Sequence, residues 1–205
     1  MTSISIIGRG KMGSAIANIV ELAGAHVQIV NRSATPSKDH PNATYSVLGD
    51  DLTGDLVVFA IPYGAYSSIL GHYRNRLGGK VVIDISNPID FTTYEQPEAL
   101  RNSSTALELA KQLPQDVGVL KAFNANLADT LITRTNGTTT TTVLFAGDHA
   151  EGKIALTDLL KAAGLRAVDA GPLQRSRQLE AIGFLQMVLA SSGKTRFESG
   201  FTLLP

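Results

Sequence analysis

The chain has 205 residues, 43% of them hydrophobic and 18% charged, with 18 basic residues balanced by 18 acidic ones. That is room for one α/β domain and a small extension, and the balanced charge offers no global field for nucleic acid or a membrane surface. Cysteine is absent, which excludes disulfides, thiolate nucleophiles and cysteine-ligated metals.

The first strand is expected from about Ser3 to Ile7, a short apolar run of the kind buried on both faces of a sheet. No basic-then-apolar leader precedes it and no run reaches 18 apolar residues, so a cytoplasmic protein is expected. Met12, Ile16, Ile19 and Ala23 then recur at helical spacing, and Gly24 suits a left-handed C-cap. Residues 27–30 form the second strand and close a βαβ unit with a tight first turn. Residues 33–44 are polar, contain two prolines and read as a loop. A strand over 55–61 is stopped by Pro62, and a helix over 65–77 ends at Gly78-Gly79. Residues 80–85 form another strand, followed by Ser86-Asn87-Pro88. Residues 89–103 look irregular. Thr105 and Glu108 have the spacing of a capping box that opens a helix reaching about Leu113. Residues 117–123 are a strand. The threonine run 138–142 leads into a strand at 143–146. A helix over 150–163, a strand over 165–168 and a long apolar helix over 174–189 complete the pattern.

Alternating strands and helices imply a Rossmann-type, doubly wound α/β fold with a mainly parallel sheet, carrying a small C-terminal strand-helix extension. The expected division is a dinucleotide-binding domain over residues 1–137 and an extension over 138–205. In such sheets ligands lie outside the carboxyl ends of the strands. That rule selects residues 8–13, 31–33, 60–62, 86–88 and 123–124.

Gly8, Gly10 and Gly13 have the spacing of a Gly-x-Gly-x-x-Gly turn, placed between a strand and a helix. The first permits the turn, the second lets a pyrophosphate approach the backbone, and the third lets helix and strand pack. Arg9, Lys11 and Met12 lie within the turn, and the helix N–H groups from Lys11 onward would face the phosphates. Asn31, Arg32 and Ser33 follow the second strand. NAD-binding folds place an acid there for the ribose 2′-hydroxyl. A neutral amide, a cation and a hydroxyl suit a 2′-phosphate, so NADP(H) is the expected cofactor. Lys38 is a second candidate cation. Ala60, Ile61 and Pro62 would pass beneath the nicotinamide ribose, although Pro62 also reads as a plain strand terminator. Asn87 would hold a ribose hydroxyl or the carboxamide, or form an Asx-turn before Pro88.

No acid–base pair stands out. The four histidines (His26, His40, His72 and His149) do not follow site strands and read as surface residues. Asp84 and Lys121 read as buried polar groups paired for structure. No cluster has metal-ligand spacing. Alcohol oxidation needs a group to take the hydroxyl proton. Hydride exchange between two ring cofactors needs chiefly alignment and exclusion of water.

Six strings together resemble the coenzyme F420-dependent NADP oxidoreductase family. They start at Ile6 (Ile-Ile-Gly-Arg-Gly-Lys-Met-Gly), Asn31 (Asn-Arg-Ser), Ala60 (Ala-Ile-Pro), Asp84 (Asp-Ile-Ser-Asn-Pro), Lys121 (Lys-Ala-Phe-Asn) and Asp169 (Asp-Ala-Gly-Pro-Leu). The last is followed by Arg175, Arg177 and Glu180. The resemblance implies hydride transfer between NADP(H) and a planar acceptor such as a deazaflavin or flavin. It implies that Asn124 sits beside the nicotinamide as an orienting residue. It also implies that Pro172 and Leu173 wall the acceptor pocket, which the extension over 138–205 completes. The ferric reductase domains of certain membrane proteins share the module. Two other readings remain open: a non-catalytic NADPH sensor, and a reductase of small imines or ketones. The small-molecule acceptor is the expected partner, with neither nucleic acid nor membrane. The apolar helix over 174–189 is wide enough on its apolar side to suggest a homodimer.

Overall fold

The structure is a computed structural model that describes residues 3–90, 93, 95 and 97–203. The sequence expectations at residues 91, 92, 94 and 96 therefore lie outside the described residues. Strand β1 (Ser3–Ile7) leads through the glycine turn into α1 (Lys11–Leu22), then β2 (His26–Asn31) and β3 (Thr44–Val47). Next come β4 (Leu56–Phe59), α2 (Tyr66–Tyr73), β5 (Val81–Asp84), α3 (Thr105–Ala110) and β6 (Gly118–Ala122). The remainder is α4 (Ala128–Thr133), the two-residue strands β7 (Thr135–Asn136) and β8 (Thr139–Thr140), β9 (Thr142–Gly147), α5 (Ala150–Ala162), β10 (Arg166–Asp169) and α6 (Ser176–Ser191).

Eight strands form one sheet in the order β10-β9-β6-β5-β4-β1-β2-β3. Pairs from β3 through to β6 are parallel, and so is β9 with β10. Only the junction of β6 with β9 is antiparallel. The expected mainly parallel, doubly wound class is observed. The strands alternate between two cores, as burial on both faces requires. Ile4, Ile6, Val58 and Ile83 pack with α1, α4 and α5 on one face. Ile7, Val57, Phe59 and Val82 pack with α2 and α3 on the other. The chain runs from β1 outward to β3, then returns to β4 on the other side of β1. That reversal puts the topological switch point between β1 and β4.

The antiparallel junction has a consequence for the site. Because β9 and β10 run against β6, the segment leaving β10 emerges at the end of the sheet away from the glycine turn. There the Gly147 N–H donates to the Gly171 carbonyl at 3.1 Å, and the Leu173 N–H to Asp148 Oδ1 at 3.2 Å. Leu173 is buried in the second core with Leu109, Val117 and Val119, and Pro172 is exposed. Both therefore stand apart from the glycine turn, and neither Pro172 nor Leu173, expected to wall an acceptor pocket, lines the groove that runs from it. Helix α6 starts at that far end and climbs back, so its later turns reach the site.

Other expectations are adjusted. The N-cap of α3 is Ser104, whose Oγ accepts from the Leu107 N–H at 3.1 Å, rather than Thr105. His40 is buried, with Nδ1 2.9 Å from Glu21 Oε2, rather than on the surface. His149 caps α5, its Nδ1 accepting from the Gly152 N–H at 3.0 Å. Among the described residues of 89–103, where irregular structure is expected, there are a bridge between Asp90 and Glu95 and a 3-10 turn over Glu98–Leu100.

Candidate dinucleotide site and acceptor groove

Gly8 takes φ +107°, and a Cβ there would sit 2.3 Å from the Ala60 carbonyl oxygen. At Gly13 a Cβ would sit 2.2 Å from the Gly8 carbonyl oxygen. Both positions exclude side chains for reasons internal to the protein. Gly10 differs: a Cβ there would meet nothing within 4 Å. No neighbour within the described structure requires glycine there. Gly10 is the N-cap of α1 and supplies no side-chain cap, and the first turn holds no acid. The helix N-terminus therefore presents amide groups and partial positive charge to solvent, which fits a pyrophosphate.

Asn31 ends β2, and its Oδ1 accepts from the Arg32 N–H at 2.9 Å. Arg32, Ser33 and Lys38 are exposed on the loop that follows. Arg9 ties that loop to the glycine turn, donating from Nη1 to the Thr35 carbonyl at 2.6 Å. The structure thus brings Arg9, Arg32 and Ser33 together at the carboxyl edge, while Lys38 lies further along.

From the glycine turn a groove of about 580 Å³ runs past Lys11, Met12, Ala60, Ile61 and Pro62 to Ile85, Asn87, Pro88, Ile89 and Met187. A second hollow of about 340 Å³ shares Lys11, Met12, Ile85, Asn87 and Met187 with it and adds Phe123, Asn124, Gly183 and Phe197. The two form one continuous groove. Asn87 and Asn124 make a reciprocal pair in it. Asn87 Nδ2 donates to the Asn124 carbonyl at 2.7 Å, and Asn124 Nδ2 donates to Asn87 Oδ1 at 2.9 Å and to the Leu179 carbonyl at 2.8 Å. Asn124 Oδ1 is buried and has no hydrogen-bond partner. The preceding Phe123 takes the left-handed backbone, φ 61°, a strain typical of residues that aim a functional neighbour.

Among the described residues no histidine lines the groove, and the ionisable lining residues are Lys11, Tyr63 and Asp129. Burial, then the charges of Glu108, Asp84 and Glu180, raise the Tyr63 phenol above its ordinary value, so it stays protonated. No group of acids and histidines among the described residues has the makings of a metal centre. No helix among them is long and apolar enough to cross a membrane.

Beneath the asparagine pair lies a charged cluster that sequence reasoning recognised only in part. Lys121 is fully buried, its Nζ 3.0 Å from Asp84 Oδ2, 2.8 Å from Glu180 Oε1 and 2.8 Å from Thr105 Oγ1. It also donates to the Ser86 carbonyl. Tyr66 donates its phenol to Asp84 Oδ1. Burial alone would raise Asp84, but Lys121 and the hydrogen bonds from Thr105, Tyr66 and the Ser86 amide outweigh it and hold the carboxyl below its usual range. For Glu180 burial prevails over Lys121, and Asp84 adds to it, so this carboxyl lies above its usual range. Met187, Tyr63, Phe197 and Glu180 are among the site residues the sequence did not single out for a role. A lone acid inside an apolar helix was the one available signal, and it belongs to Glu180.

Residues 3–88 match the protein family described as NADP oxidoreductase, coenzyme F420-dependent. The F420-dependent NADP reductase of Methanothermobacter marburgensis is 28% identical over 195 residues, covering 85% of this chain and 86% of the relative. That of Methanocaldococcus jannaschii is 27% identical over 132 residues, covering 63% of this chain but 59% of the relative's length. A crystal structure of an Arthrobacter sp. FB24 protein superposes with a TM-score of 0.85 at 22% identity, covering 100% of both chains. At that identity the likeness speaks for the fold. The expected resemblance to this family is borne out, and the matched residues contain the first four of the six sequence strings.

Proposed function

We propose that this chain, similar to the coenzyme F420-dependent NADP reductases, is an NADP-dependent oxidoreductase that exchanges hydride between NADP(H) and a planar acceptor of the deazaflavin or flavin class. One observation carries the reading: a groove joins the bare helix N-terminus to a mostly apolar chamber at Asn87 and Asn124, with no histidine among its described lining residues. Gly8, Gly10, Gly13 and the first amides of α1 would hold the pyrophosphate, and Arg32 and Ser33 the 2′-phosphate. Bound NADPH supplies the hydride. Asn87 and Asn124 would orient the carboxamide, while Ile61, Pro62, Ile85 and Met187 exclude water. The room for a second substrate lies beside Met187, since side chains fill the space around Leu173.

The test is NADPH oxidation with deazaflavin, FMN, FAD and quinones as acceptors. At least one should be reduced, with only modest dependence on pH between about 6 and 8, since no histidine is assigned to the chemistry. Asn124→Ala should lower turnover roughly 10- to 100-fold, the scale of a mispositioned reactant, and NADPH affinity by less than that. If no such acceptor takes hydride, the chain is an NADPH-binding sensor. Tyr63 favours a second enzymatic reading: its protonated phenol in the groove is a proton donor suited to small imines or ketones. Turnover of those in place of flavins would decide for it.

Helix α6 supports a homodimer. Its buried residues are Ser176, Leu179, Glu180, Gly183, Gln186 and Ala190, of which only Leu179 is a large apolar side chain. Ile182 and Leu185 turn outward and, with Leu144, Phe201 and Leu203, line an apolar hollow of about 360 Å³. A helix with its apolar side outward suits a partner subunit. Light scattering at tens of micromolar should report twice the chain mass, and Leu185→Glu should halve it; a wild-type monomer removes the dimer.

A further inference from the structure

The clamp beneath the groove touches every element that carries the asparagine pair. Ser86 is held at three points: its N–H and Oγ donate to Asp84 Oδ1 at 2.8 and 2.9 Å, and its carbonyl accepts from Lys121. Asn87 is the next residue. Lys121 lies on β6, three residues before Asn124. Glu180 Oε1 accepts from the Thr105 N–H at 2.9 Å and from Thr105 Oγ1 at 2.7 Å, which fastens α6 to the start of α3. One residue before Glu180, the Leu179 carbonyl accepts from Asn124 Nδ2. Three residues after it, Gly183 lies so close that a Cβ would sit 2.7 Å from Asn87 Nδ2 and 2.6 Å from the Asn124 carbonyl oxygen. The height and rotation of α6 thus set where both amides sit. Glu180, the single acid of that helix, fixes both. Neither Lys121 nor Glu180 lines the groove.

Resting on the proposed function, we infer that Glu180 and Lys121 are positioning residues for the reacting end of the groove: they set the Asn87–Asn124 pair, and through it the nicotinamide, without touching ligand. A role confined to holding the core together predicts something different. Loosening the core lowers affinity for every part of the dinucleotide alike. Loss of positioning lowers only what the nicotinamide end contributes. The ratio of the dissociation constant of 2′-phospho-ADP-ribose to that of NADPH isolates that contribution, and it needs no acceptor.

The experiment measures this ratio and kcat for wild type, Glu180→Leu, Glu180→Gln and Thr105→Val. In Glu180→Leu the ratio should fall at least 5-fold and kcat roughly 10- to 100-fold, the cost of misplacing a reactant, while 2′-phospho-ADP-ribose binding stays within 2-fold of wild type. Glu180→Gln keeps an oxygen for Lys121 and the Thr105 N–H and should restore most of both. Thr105→Val removes the hydroxyl shared by the two carboxylates and should shift the ratio the same way by less; it serves if Glu180→Leu does not fold. A parallel loss of both affinities, or an unchanged ratio in Glu180→Leu and Thr105→Val, overturns the inference. A wild-type ratio of one overturns it too. Failure of every acceptor in the presence of the predicted ratio change would count against the proposed reaction alone.

Discussion

Arg32→Asp should lower NADPH affinity by about two orders of magnitude and leave NADH binding close to unchanged. Arg32 is exposed at the carboxyl end of β2, next to the neutral Asn31 and the Ser33 hydroxyl. A charge-assisted hydrogen bond to a phosphate is worth about 1.5–3 kcal/mol, which is roughly 10- to 150-fold in a dissociation constant. The new carboxylate adds repulsion of the 2′-phosphate. It also restores the acid that NAD-binding folds direct at the ribose 2′-hydroxyl. Because the site is open to solvent, salt screens the attraction, and the wild-type preference should narrow between about 0.05 and 0.5 M salt. Fluorescence titrations of wild type and variant with both dinucleotides at two salt concentrations measure all of this. A wild type that prefers NADH, or a variant that keeps its preference for NADPH, would show that the loop after β2 does not read the phosphate.

The part of this site that was legible in the sequence is the part written locally. Gly8, Gly10 and Gly13 act within one turn, and Arg32 follows β2 directly. Strand ends were legible too, which is why residues 60–62, 86–88 and 123–124 meet in the groove. What stayed hidden depends on partners far along the chain. The direction of β9 is set by its pairing with β6, and nothing in the threonine run announces it. That single reversal carries Leu173 away from the groove and returns Met187 to it. Thr105 fits a capping box by spacing, but the cluster of Lys121, Asp84 and Glu180 claims its hydroxyl, and Ser104 caps the helix instead. His40 reads as a loop histidine until its tertiary partner Glu21, nineteen residues earlier, is known. The pattern of α6 shows apolar residues on more than one side but not which side faces in. Glu180 and Gln186 point inward because Lys121 and the backbone of the C-terminal segment require them, with Gln186 Oε1 accepting from the Phe201 N–H at 2.9 Å.

Lys121→Met should be the most destabilising single change in the site, costing about 3–5 kcal/mol at neutral pH, the usual result of leaving buried charge without its partner. Methionine fills much of the same space, so packing contributes little to the loss. What changes is the charge: Asp84 and Glu180 are left facing each other with only hydroxyl and amide donors between them. The pH dependence identifies the cause. In the wild type Asp84 lies below the ordinary carboxylate range. Its contribution to stability is present above the unfolded-state value and is lost as pH falls through the folded one. Glu180 lies above that range, so its contribution is complete below the unfolded-state value and declines as pH rises through the folded one. Without the cation, burial and mutual repulsion push both carboxyls upward. Acids raised in the folded state cost most when the pH is high enough to ionise them in the unfolded chain, and cost nothing once both states are protonated. The penalty should therefore be greatest near pH 7 and shrink steadily as the pH is lowered toward 4. Urea unfolding of wild type and variant at pH 7, 5.5 and 4 measures it. Adding Asp84→Asn and Glu180→Gln to Lys121→Met removes the stranded charge and should recover most of the stability at pH 7, in line with neutral replacement of buried ion clusters. A penalty that does not vary with pH, or one that survives the triple change, would mean that Lys121 supports the fold through packing rather than charge.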